Sequence, residues 1–327
     1  MTPTRRRLVG STLALFALAA TAPRIASAQA RSVRIGVLAP RLPLNTLPAA
    51  LKRLGELGFV EGKNMVLEYR SAEGDVARFP SLARELIQAK CDLIFAVGAA
   101  HAARALLDAK TGIPIVILAV DYDPVKEGIV SNLRRPGANV TGVYISQPTL
   151  AAKRLELLFE IVPKAKRFLV LADAFSKDQL ESVREAAKKL RVEIVAETFA
   201  APPYDLAAAF AKGRAAGIEA VAVLGSPVFA DRRSGIVELA MKHRLPLVGS
   251  NWRFTEAGFL LSYGPNPDTA YIRAGDIAAS ILKGAKPGDI PVEQPTVFEL
   301  SVNRKTAKAL GISIPPSILL RADRVIE

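Results

Sequence analysis

Cysteine is almost absent from this chain. Cys91 stands alone among 327 residues, so no intrachain disulfide can form. It precedes the apolar run Leu93-Ile94-Phe95, which reads as a buried structural thiol rather than a nucleophile. Histidine is also scarce. His101 and His243 lie far apart, with no acidic neighbour at metal-ligand spacing, and no metal site or cofactor is called for. There is no G-x-S-x-G elbow, no G-x-x-x-x-G-K-S/T loop and no H-E-x-x-H helix. The sequence therefore offers no constellation for hydrolysis, nucleotide binding or metalloenzyme chemistry, and it is read as a non-enzyme. Lys/Arg blocks interleaved with aromatics are missing too. The formal charge is +13, but the basic residues are scattered, often beside Glu as in Lys153-Arg154-Leu155-Glu156. That is a solvated surface and not a nucleic-acid footprint. After the N-terminal segment, no apolar run is long enough to span a bilayer.

What is present begins at the N-terminus. Thr4-Arg5-Arg6-Arg7-Leu8-Val9 gives a Ser/Thr-Arg-Arg-x-apolar-apolar pattern. An uncharged stretch follows from Leu8 to Ala22, then small residues ending in Ala26-Ser27-Ala28. Basic region, short apolar region and A-x-A site together read as a secretory signal over residues 1–30, with cleavage after Ala28 or Ala30. The arginine pair points to the twin-arginine route, with the general route as the alternative. The predicted location is periplasmic. Four arginines leave with the signal, so the charge falls to +9 over about 297 residues. That length suits two α/β units better than one core.

Strand and helix patterns alternate. Val33 to Leu38, Met65 to Tyr69, Asp92 to Val97 and Ile113 to Val120 are β-rich runs. Between them lie helical patterns such as Leu47, Ala50, Leu51, Leu54 and Leu57, closed by Gly58. The pattern restarts after Val140 to Tyr144. Further strands are predicted at Arg167 to Leu171, Val192 to Ala196, Ala220 to Leu224 and Leu245 to Val248. Ser176 to Gln179 has the spacing of a capping box. The fold class is α/β, with parallel sheets in two Rossmann-like lobes. No Pro- or Gly-rich linker divides the halves, so they are expected to share crossing segments and a cleft.

In open α/β sheets, ligands sit outside the carboxyl ends of the strands. Those ends are Ala39-Pro40-Arg41, Gly98-Ala99-Ala100-His101, Asp121 to Pro124, Ala172-Asp173-Ala174 and Gly225-Ser226-Pro227. Gly98 ends a strand before a helix, so its loop offers free N–H groups to an anion. Asp123 either caps a helix that starts at Pro124 or meets a ligand.

A series of motifs then falls in order. Asp123-Pro124-Val125, Arg135-Pro136-Gly137-Ala138-Asn139-Val140-Thr141-Gly142 and Lys153 to Leu158 come first. Glu256-Ala257-Gly258, Ser262-Tyr263-Gly264-Pro265, Ile281 to Pro287 and Pro291 to Thr296 follow. Asn303, Lys305-Thr306-Ala307, Leu310-Gly311, Ile314-Pro315-Pro316 and Arg321-Ala322-Asp323 close it. This series resembles the ABC-transporter substrate-binding protein family that includes the tryptophan-binding TrpX-like proteins. The resemblance implies a type I periplasmic-binding architecture with three crossing segments and a small solute closed between the lobes. It also implies permease subunits of the inner membrane as partners, while the repeated βα pattern without a flexible linker leads to the expectation of a monomer. A membrane sensor in place of the permease is the alternative, with an exported enzyme a further one that the missing constellations argue against. The expected partition is residues 31–142 plus 262–292 for the first lobe and 143–261 plus 293–327 for the second.

Several residues become candidates under that resemblance. Arg41 is a candidate for a ligand carboxylate, because a guanidinium bonds it bidentately. Asp123 is one for an ammonium. Tyr144 and Trp252 can cover an apolar part of the ligand, or pack between lobes. Ser226 and Tyr263 can donate hydrogen bonds. The sequence departs from relatives at Ala99-Ala100, where a hydroxyl residue is common. It departs again at Asp173-Ala174, where Asn-Pro is common, and at Ser226-Pro227, where Asp-Pro is common. Ligand-binding candidates are thus Arg41, Gly98, Ala99, Asp123, Tyr144, Asp173, Ser226, Trp252 and Tyr263. The solute is expected to be an amino acid or another small carboxylate or aromatic, and tryptophan is not carried over.

Overall fold

The computed structural model describes residues 32–41, 47–98, 100–119 and 122–327. The signal segment, Ala99 and Asp121 lie outside the described residues. In the first lobe the order is β1 (Val33–Ala39), α1 (Leu47–Glu56), β2 (Met65–Ser71), α2 (Phe79–Gln88), β3 (Leu93–Gly98), α3 (Ala100–Asp108), β4 (Ile115–Ala119) and β5 (Val140–Tyr144). These strands form one parallel sheet in the order β2-β1-β3-β4-β5. β3 and β4 are apolar at every position and buried throughout, as a sheet covered on both faces requires. β2, at the edge, is buried only at Met65 and carries Glu68 and Arg70.

The second lobe continues with α4 (Gln147–Ile161), β6 (Arg167–Asp173), α5 (Lys177–Leu190), β7 (Glu193–Phe199), α6 (Leu206–Ala215), β8 (Ala220–Val223), α7 (Pro227–Asp231), α8 (Arg233–Lys242), β9 (Leu247–Gly249), α9 (Trp252–Ala257) and β10 (Leu261–Gly264). The chain then returns to the first lobe as α10 (Pro267–Leu282), which packs on α1, β4 and β5. It ends in the second lobe with β11 (Glu299–Asn303), α11 (Arg304–Leu310), α12 (Pro316–Arg321) and β12 (Arg324–Ile326). The second sheet runs β12-β11-β10-β9-β8-β6-β7, and only β10 and β11 pair antiparallel.

The chain crosses between lobes three times, after β5, after β10 and before β11. β5 pairs with β4 through Tyr144, so the first crossing falls two residues later than the break expected after 142. β10 pairs with β9 and β11, so Ser262–Gly264 belong to the second sheet rather than the first. In the third crossing, Glu293 exchanges backbone hydrogen bonds with Gly142 and Tyr144, which fastens it to β5. Gly264 must be glycine. An added Cβ would collide with the Ser250 carbonyl oxygen, because the ends of β9 and β10 approach too closely for a side chain.

Two local expectations are corrected. Ser176 makes no side-chain cap, so the capping box does not form. Its hydroxyl instead bonds Asp173, and Gln179 clasps the Gly225 backbone through both amide atoms at 2.8 Å. No helix starts at Pro124 either; Asp123 closes a turn there. Cys91 is buried, and burial pushes its thiol up to about 11. Among the described residues no helix is long and apolar enough to cross a membrane.

Candidate functional site

A cavity of about 170 Å³ lies where the strand ends of the two sheets face each other. The first lobe lines it with Val97 and Gly98 at the end of β3, Leu118 and Ala119 at the end of β4, and Val143 on β5. Ala270 and Tyr271 of α10 complete that wall, with Arg41 from the loop after β1. Continuous apolar strands produce this surface: their last residues emerge from the core without changing character. Gly98 has φ of +89°, and a Cβ there would press on Pro40 at 3.1 Å.

The second lobe supplies a different wall. Its strand ends run directly into short helices, so their loops hold helix-capping residues. Ser226 caps α7, its hydroxyl accepting from the Val228 N–H at 3.1 Å and donating to Asp173. Asn251 caps α9 by accepting from the Arg253 N–H at 3.1 Å. Gln147, Gly225, Asp231, Arg233, Ser250, Arg253 and Phe254 also face the cavity.

Three arginines therefore border the cavity, whose first-lobe side is otherwise largely apolar, against one lining carboxylate. Arg41 reaches across the cleft and bonds Asp231 through Nε at 2.9 Å, so that acid is already engaged. Arg253 bonds Asp268 at the start of α10 at 2.7 Å, again joining the lobes. Its Nε is buried without a partner among the described residues. Arg233 donates to the Ala230 carbonyl. An apolar chamber with guanidinium donors at its rim suits a solute with an apolar body and a carboxylate.

Of the nine residues expected from the sequence, Arg41, Gly98 and Ser226 line the cavity. Ala99 lies outside the described residues. Asp173 stands one layer behind Ser226, 1% exposed, accepting from Ser176, Ser226, Tyr204 and the Phe175 N–H. Burial pushes its carboxyl above the usual range, against the pull of those hydrogen bonds. Asp123 does not line the cavity; its Oδ1 accepts from Val125 N–H at 2.9 Å and Lys126 N–H at 3.2 Å. Tyr144 is buried in the core, and burial raises its hydroxyl pKa. Tyr263 packs 6.1 Å from the Phe298 ring. Trp252 is held between the Arg253 and Arg324 guanidiniums, 5.0 and 4.6 Å from its ring.

Residues missed from the sequence include Gln147, Asp231, Arg233, Asn251, Arg253, Phe254 and Tyr271. The strand-end rule points to Asn251 and Arg253, which follow β9 directly. Asp231 and Arg233 lie a helical turn past a strand end, where the rule does not reach. Among the described residues no cluster of His, Cys, Asp or Glu is placed to hold a metal.

Two lobes with three crossings and one cavity at the facing strand ends define a solute-binding protein of the type I periplasmic arrangement. Residues 46–326 match the ABC transporter substrate binding protein family, and the chain belongs to it. A tyrosine-binding protein of Clostridioides difficile (strain R20291) is 30% identical over 268 residues, covering 80% of this chain and 75% of that one. Among solved structures, a conserved domain protein from Vibrio cholerae superposes with a TM-score of 0.79 at 28% identity, covering 90% of this chain and 100% of that one. An ABC domain from Streptococcus pneumoniae in complex with L-Trp gives a TM-score of 0.77 at 26% identity, with the same coverage.

Proposed function

We propose that this substrate-binding protein takes an amino acid or similar small carboxylate with an apolar or aromatic body, and presents it to an ABC permease in the inner membrane. The observation that carries the ligand class is the cavity itself: an apolar first-lobe wall opposite Arg233 and Arg253, with Arg41 at its rim paired to the one lining acid. Relatives that bind tyrosine and L-Trp support an aromatic amino acid within that class. The altered positions Asp173 and Ser226 meet in one hydrogen bond at the cavity wall, so the choice among such solutes is this chain's own. Residues 1–30 direct export by the twin-arginine route and are then removed. The mature protein works as a periplasmic monomer whose lobes close on the solute.

A thermal-shift panel tests this: L-tyrosine, L-tryptophan, L-leucine, benzoate, tyramine and tryptamine. A bound solute stabilises the protein by about 2.7 kcal/mol at one hundred times its Kd. Carboxylates should raise the melting temperature and the two amines should not. Shifts with the amines alone would overturn the ligand class. Replacing Arg5 and Arg6 by Lys should leave precursor in the cytoplasm, and undiminished export in a strain lacking the twin-arginine pathway would exclude that route.

A further inference from the structure

Behind the polar wall, on α4, lies a guanidinium with no acid beside it. Arg154 is 2% exposed. Its Nε donates to the Tyr263 carbonyl at 2.6 Å, and its Nη2 donates to Gln147 Oε1 at 2.7 Å and to the Ser250 carbonyl at 3.2 Å. All three acceptors are neutral. Nη1 is buried with no partner among the described residues. Burial brings the group down to about 9, so it still carries its charge at neutral pH. A lone buried cation is costly, and natural chains rarely keep one without use.

Its placement suggests the use. Tyr263 precedes the second crossing, Gln147 follows the first, and Gln147 and Ser250 both line the cavity. A guanidinium has donors only. Gln147 must therefore turn its oxygen toward Arg154, which sends its amide Nε2 the other way. That Nε2 has no hydrogen-bond partner among the described residues. The carboxamide is also wedged against Gly225, where an added Cβ would lie 3.2 Å from Gln147 Cδ.

We propose that Arg154 is the positioning residue of this cavity: it locks Gln147 with its amide donor toward the ligand, and its uncompensated charge biases the site toward an anionic group. The proposal rests on the carboxylate reading above and names a residue pair that enforces it. Gln147 touches the ligand, while Arg154 acts through it.

Gln147→Glu tests the pair, because it keeps the shape, keeps the acceptor for Arg154 and removes the donor. Without any ligand, it should raise the melting temperature by about 2 °C or more, since the carboxylate balances Arg154. In an Arg154→Met background the same change should lower it, because the carboxylate is then buried alone. Equal effects in the two backgrounds overturn the proposal. Should Arg154→Met not fold, an acid titration of Gln147→Glu replaces it. The gain should be lost as the introduced carboxylate is protonated, and a gain independent of pH overturns the proposal. In calorimetry with the carboxylate of the panel giving the largest shift, Gln147→Glu should weaken binding at least tenfold, and unchanged affinity overturns the donor role. Failure of the wild type to respond to any carboxylate overturns the ligand class and the anionic bias. The melting cycle then decides by itself whether Arg154 holds Gln147.

Discussion

The two walls of the cavity are made by the same kind of element and behave differently. The first lobe ends its strands in Val97-Gly98 and Leu118-Ala119, which continue the core to its surface. The second lobe ends its strands in Gly225-Ser226 and Ser250-Asn251, which stop to cap helices. One wall is largely apolar apart from Arg41, and the other supplies most of the donors. The apolar surface and most of the polar groups thus come from separate lobes. Arg41 and Arg253 bond acids of the opposite lobe, so ion pairs between the lobes border the cavity.

The polar wall is expected to give the largest effect. Arg253→Ala removes a guanidinium that faces the cavity and bonds Asp268, and should weaken carboxylate binding about a hundredfold, or ~2.7 kcal/mol. Calorimetry checks this, and a loss below about threefold would mean that Arg253 serves only the lobe contact. The same change frees one side of Trp252. This is the chain's only tryptophan, so its fluorescence reports the wall directly.

The apolar wall should give less. Val143→Ala removes two carbons from the cavity lining, each worth ~0.8 kcal/mol when buried, so affinity should fall about tenfold for every panel member that binds. A loss confined to one solute would mean that Val143 selects shape rather than excluding water.

A smaller effect concerns the seam between lobes away from the cavity. His101 stacks on Phe79 at 6.2 Å and meets Phe175 of the second lobe edge-on at 6.3 Å. Burial holds its pKa below the usual value, with Glu127 opposing. A depressed pKa on a base means that the neutral ring is the form folding favours. Its contribution is intact above about pH 6.5 and is lost as pH falls through the lower folded value. The wild-type melting temperature should therefore fall on acidification in that window, and His101→Phe should flatten that part of the profile. An unchanged profile would remove His101 from the seam's pH response.

The smallest effect is expected at Asp123. Asn accepts from a turn N–H about as well as Asp, so Asp123→Asn should alter neither melting temperature nor solute affinity. A tenfold loss of affinity in calorimetry would return Asp123 to the ligand.

The strand and helix positions were legible because β3, β4 and β8 are unbroken apolar runs, and β6 is apolar from Phe168 to Ala172. The cavity lining was legible only where a strand end borders it, as at Arg41, Gly98 and Ser226. Asp173, Tyr144 and Tyr263 have chemistry that suits a ligand, yet packing leaves them outside the cavity lining. Gln147 and Arg154 are the reverse case. A glutamine beside a proline and an arginine in a helical charge pattern look ordinary in sequence. Only the fold brings Arg154, buried, against the Tyr263 and Ser250 carbonyls and Gln147.

The decisive measurement is a calorimetric comparison of L-tyrosine with tyramine on the wild-type protein. The two solutes share the aromatic body and the ammonium group and differ by the carboxylate. If the arginine-lined wall recognises a carboxylate, tyrosine should bind at least a hundredfold more tightly than tyramine. Equal affinity, or tighter binding of tyramine, would contradict the assignment of the second lobe as the wall that holds an anion.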